Sequence, residues 1–133
     1  MSTTSYNLHG VHILAFAPDG SKLRNDRDAI ELIAEALQIK ASVVLIPEER
    51  FEDDFFNLKT RVAGEIIQKF ANYKLRLAIM GDISRHVNES SALRDFVRES
   101  NRGDHLWFVA NLEELENKLK PGPRENPGAS EKS

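Results

Sequence analysis

The chain has 133 residues, 41% of them hydrophobic and 29% charged, which is one globular domain's worth and too little for two cores. Its net charge is −3, with Lys and Arg interleaved among acids, so there is no basic footprint for nucleic acid or an anionic membrane surface. There is no cysteine, which removes disulfides, thiolate nucleophiles and Cys-based zinc sites together and fits a reducing compartment.

The polar start Met1 to Asn7 lacks the apolar core of a signal peptide. No apolar run approaches the roughly 20 residues that span a bilayer. A cytoplasmic protein is expected. The first element is a hairpin: Tyr6 and Leu8 precede His9-Gly10, and Val11 to Phe16 is apolar and rich in β-formers. Gly10 supplies the positive φ that a tight turn demands. Pro18-Asp19-Gly20 is the next stop. Asn25 then caps a helix with acids in its first turn, and Ile30, Ile33 and Leu37 recur at helical spacing, expected to face a sheet. Ser42 to Ile46 reads as a short buried strand ended by Pro47.

The acidic and aromatic stretch Glu48 to Phe56 leads into a long helix expected over 54–73. Val62, Ala63, Ile66, Ile67 and Phe70 form its apolar stripe, with Arg61, Glu65, Gln68 and Lys69 on the other side. Gly64 costs this helix about 1 kcal/mol relative to Ala. Close backbone approach to a neighbouring strand is the expected compensation.

Leu75 to Met80 is a second buried strand, closed by Gly81-Asp82. Asn88 to Ser91 caps a helix carrying Leu93, Phe96 and Val97, which Gly103 terminates. His105 to Val109 is the last strand. Asn111 with Glu114 opens a final helix bearing Leu112, Leu115 and Leu119. From Pro121 onward the residues are Pro, Gly and polar, read as a disordered tail after a single domain over 1–120.

The order ββαβαβαβα implies a single α/β domain with a mixed, largely parallel sheet covered by helices. A leading hairpin before three βα units is also the order of the sulfate-transporter and anti-sigma-factor-antagonist (STAS) fold. That likeness is of fold alone.

Residues 54–73, DFFNLKTRVAGEIIQKFANY, carry a closer resemblance, together with Leu77 to Asp82, Leu93 to Phe96 and Glu99 to Gly103. In these the chain resembles bacterial proteins grouped as domain of unknown function 4180, most specifically in the run from Ala63-Gly64-Glu65 through Gln68-Lys69-Phe70. The resemblance spans the chain from the first helix to the last, and Pro47 to Phe51 fits it less well. It implies a bacterial cytosolic origin and a STAS-like architecture, and it implies no activity.

In an open α/β sheet, ligands and partners meet the carboxyl ends of the parallel strands. The loops there hold Asp53, Asp54, Asn57, Thr60, Asp82, Ser84, Arg85 and His86. Asp82, Ser84 and His86 lie two apart on one loop, a spacing that rarely converges into a nucleophile and base, and no Gly-x-Ser-x-Gly elbow is present. Asp82 is expected to cap a turn and His86 to be solvated. His9, His12, His86 and His105 form no i, i+4 pair, so a metal site is not expected. Gly81-Asp82-Ile83-Ser84 lacks the further glycines of a phosphate cradle. No catalytic residue, cofactor or metal is assigned.

Two surfaces remain. Arg61, Glu65 and Lys69, at successive i, i+4 positions, make either a solvated ion-pair ladder or, with Gln68, an interaction face for a protein partner or a second copy. Asp54, Thr60, Asp82 and Ser84, with Arg61 beside them, are the candidate strand-end site of a small-molecule-binding protein or enzyme. The STAS likeness implies a phosphorylated hydroxyl at the start of the helix after the third strand, where Thr60 is the hydroxyl available. The expected function is a non-enzymatic protein-interaction or regulatory module.

Overall fold

The computed structural model describes residues 3–120. β1 (Thr3–Leu8) and β2 (Val11–Phe16) form an antiparallel hairpin joined by His9 and Gly10, both left-handed, the two-residue turn whose twist matches that of the strands. After α1 (Asp26–Gln38) comes β3 (Val43–Pro47), then α2 (Asp53–Phe56), α3 (Val62–Asn72) and β4 (Arg76–Met80). α4 (Ser84–Glu89), α5 (Ser91–Arg102), β5 (Leu106–Val109) and α6 (Leu112–Leu119) complete the order. The fold is a single α/β domain around one five-stranded mixed sheet, ordered β1-β2-β3-β4-β5. The β1–β2 pair is antiparallel, and β2–β3, β3–β4 and β4–β5 are parallel.

Beyond Arg76 at the start of β4, β3 to β5 are apolar without alternation because both faces are covered. Val44, Ile46, Leu77, Ile79, Leu106 and Phe108 belong to the core shared with α1, α3 and α5. Val43, Leu45, Ala78, Trp107 and Val109 pack on the other side with Leu115 of α6. No described helix is long and apolar enough to cross a membrane.

Several expectations are corrected. On α1 the buried stripe is Ala29, Leu32, Ile33 and Ala36, while Ile30 and Leu37 stand 41% and 44% exposed. Two alanines let α1 settle close to its neighbours, which rotates the larger residues outward. The helix expected over 54–73 is broken. α2 ends at Phe56, a 3-10 turn spans Leu58–Thr60, and Arg61 adopts a left-handed φ of 67° before α3 begins. An unbroken helix would place Lys59 four residues before Ala63 and seven before Ile66, in the middle of the buried stripe. The break leaves Lys59 in solvent and still buries Phe55 and Phe56.

α4 occupies what the sequence presents as a loop. The expected disordered tail lies outside the described residues. The caps fall where expected: Asn25, Ser90 and Asn111 side chains accept from the amides of Asp28, Leu93 and Glu114. α1 and α3 end in Schellman motifs without glycine. Lys40 and Lys74 are left-handed, and the amides of Ala41 and Leu75 donate back to the carbonyls of Ala36 and Phe70.

Candidate functional site

The polar face of α3 does not form its expected ladder. Arg61 stands outside the helix as its N-cap, so its i, i+4 relation to Glu65 is lost. Among the described residues Arg61, Glu65 and Lys69 make no ion pair. Gln68 Nε2 donates to Asn72 Oδ1 at 2.8 Å, within the same helix.

Beside that face runs a groove of about 1120 Å³ between α3 and α5. Gly64, Ile67 and Ala71 of α3 line one wall, Phe96 and Ser100 of α5 the other, with Leu58 and Leu106 between. Phe96 is held edge-on against buried Phe108, ring centroids 6.3 Å apart. Arg61, Gln68, Glu99 and Asp104 add polar lining. Gly64 makes no close approach to a strand: a β-carbon there would meet no atom of the described residues within 4 Å beyond its chain neighbours and own helix backbone. Its missing side chain opens the groove instead.

At the strand ends, the four candidate residues form two separate pairs. Thr60 Oγ1 donates toward the carbonyls of Asp54 (2.6 Å) and Asn57 (2.8 Å), and accepts the Val62 amide at 3.3 Å. This hydroxyl closes the α2–α3 connection. Asp82 Oδ1 accepts the Ser84 amide at 2.9 Å at the start of α4. The Ser84 hydroxyl, and then its backbone N–H, hold the Asp82 carboxyl below the ordinary carboxylate range. No hydrogen bond or ion pair links the two pairs among the described residues, and Arg61 lines the α3–α5 groove rather than this edge.

His86 is not solvated as expected. It is half-buried and stacked on Phe56, with centroids 4.1 Å apart and planes 11° from parallel. Arg85 bridges Asp53 at 3.2 Å and approaches His86 Nε2 at 3.3 Å. Ser84 and His86 share no hydrogen bond: the Ser84 amide donates to Asp82 and His86 Nε2 lies against Arg85. No three or more His, Asp or Glu side chains gather as a metal-ligand group among the described residues. The α2–α4 contact joins segments some thirty residues apart, and no local pattern announces it.

Arg50 was the buried residue that sequence reasoning missed. It is 3% exposed, the one polar or charged side chain so deeply buried among the described residues. Nε donates to the Ser21 carbonyl at 2.7 Å and one terminal nitrogen to the Ala17 carbonyl at 2.9 Å. With the Leu23 amide bonded to the Arg50 carbonyl, it fastens the β2–α1 loop to the segment after β3.

Residues 8–119 match the family described as Domain of unknown function (DUF4180), and the chain belongs to that family. No curated protein and no solved structure matches it.

Proposed function

We propose that this DUF4180 protein is a non-enzymatic, cytosolic interaction or regulatory module that takes an amphipathic helix of a partner protein in the groove between α3 and α5. Gly64 carries this reading. Gly64 is exposed in the first turn of α3, where it weakens the helix, and among the described residues nothing outside its own helix backbone occupies the space beside it. A partner's apolar stripe seated against Gly64, Ile67, Ala71 and Phe96 would fill that space. Unpaired Arg61, Glu65 and Lys69 would then supply polar contacts along one side. A STAS-like architecture fits the regulatory reading. Its support is the leading hairpin, three βα units and a sheet whose strands follow chain order. The strand-end site ranks second, since its pairs Asp54–Thr60 and Asp82–Ser84 do not converge.

The test places a photo-crosslinking residue at Ile67 and, as a control, at exposed Ile30 in native cells. A specific crosslink from 67, lost in Gly64→Arg at unchanged thermal stability, is the expected result. A partner held equally by wild type and Gly64→Arg would remove the groove from consideration.

A further inference from the structure

The two edges of the sheet are finished differently. β5 is short, and two outward amides on its edge are taken: Phe108 N–H donates to Asn101 Oδ1 and, just past the strand, Ala110 N–H to Glu114 Oε1, each at 2.7 Å. β1 carries no such protection. Thr3–Leu8 holds no charge and no proline, its register with β2 has no bulge, and no side chain bonds the backbone of Thr3, Ser5 or Asn7 among the described residues. An edge of this kind is a template for another strand.

The hairpin register fixes what the edge offers. A two-residue turn makes Leu8 and Val11 a hydrogen-bonded pair, so Tyr6–Ile13 and Thr4–Ala15 are bonded pairs as well. Thr3, Ser5 and Asn7 therefore point their N–H and C=O groups outward. A second observation converges on the same strand. α6 covers the Trp107 and Val109 side of the sheet and leaves Tyr6, Leu8, Val11 and Ala15 only half-buried.

We propose that β1 pairs antiparallel with β1 of a second copy, about a two-fold axis at Ser5, joining the two sheets into one. The occupant is a second copy because a two-fold brings like residues together, which a charged strand could not tolerate. β1 is uncharged in a chain that is 29% charged. Centring on Ser5 sets it against its own counterpart and Thr3 against the second copy's Asn7, outward group to outward group. On the apolar face Thr4 meets the second copy's Tyr6, a favourable β-branched and aromatic pair. The α3–α5 groove includes Leu106 of β5, at the opposite edge of the sheet, so both grooves stay open in the dimer.

Sedimentation equilibrium of the full chain, from micromolar to submillimolar concentration, tests this. A reversible dimer is expected. Ser5→Pro removes an outward N–H and no bond to β2, in an edge strand that accepts proline. Ser5→Lys sets two like charges on the axis. Each should raise the dissociation constant at least about tenfold, and added salt should restore part of the loss for the lysine variant alone. Ser5→Ala, which loses only the Ser5–His12 contact of 2.7 Å, should dimerise like wild type. If Ser5→Pro fails to fold by circular dichroism, Ser5→Lys carries the test. A monomer throughout, or a dimer indifferent to Ser5→Lys, would overturn the proposal. So would a dimer abolished by Gly64→Arg, which would place the interface in the groove.

Discussion

A β-carbon on Gly20 would stand 2.5 Å from Cζ of Arg50, inside the guanidinium that is buried against the Ser21 and Ala17 carbonyls. The glycine is required by its neighbour rather than by its backbone angles. Gly20→Ala must displace a charged group from hydrogen bonds worth about 1.5–3 kcal/mol each. A loss of about 1–3 kcal/mol is expected in urea unfolding followed by the fluorescence of Trp107, the single tryptophan. In an Arg50→Met background the same substitution should cost nearly nothing further. An equal cost in both backgrounds would refute the coupling.

Gly64→Ala should act in the opposite direction. The position is helical and has open space around it, so alanine restores helix propensity without a clash. A gain of up to about 1 kcal/mol is expected, read as a rise in the urea midpoint at constant slope. A lower midpoint would mean that the glycine is packed after all.

Lys40 and Lys74 hold the left-handed positions of two Schellman motifs, where a β-carbon is a steric cost. Replacing either by glycine should stabilise the domain by roughly 0.5–1 kcal/mol, net of the greater freedom of glycine in the unfolded chain. The two gains should add, because the sites close different helices. Thermal unfolding of the single and double variants checks this.

Asp82 has a folded-state pKa held below its ordinary value of 3.8, first by the Ser84 hydroxyl and then by the Ser84 amide. Its contribution is present above the unfolded pKa and disappears as pH falls through the folded one. Wild type should therefore lose more stability than Asp82→Asn as the pH drops below about 4. Melting curves of the two proteins across that range should converge toward acid. Parallel curves would show that the Asp82–Ser84 hydrogen bonding has no influence on the pH dependence.

Much of the fold is legible in short-range pattern. The apolar runs at Val43 to Ile46 and Leu77 to Met80, the turn His9-Gly10, and the caps Asn25, Ser90 and Asn111 each answer a local demand: a covered strand, a positive φ, an unsatisfied amide. The ends of α1 and α3 were less legible because lysine occupies positions that glycine usually marks. The candidate site was legible only as a region. Gly64 and the helix around it stand out in the sequence, but the groove needs α5 as its second wall.

By itself, the sequence determined the number and order of strands, the placement of most helices and the absence of thiol chemistry, since these depend on residues within a turn or two of one another. Tertiary structure alone decided which stripe of α1 faces inward, where the chain breaks between Phe56 and Val62, and that Arg50 would be buried among carbonyls. It also placed His86 on Phe56 and left an open space beside Gly64. Each of these is set by what a distant segment brings within a few ångströms, because burial is a property of facing surfaces and not of either surface alone.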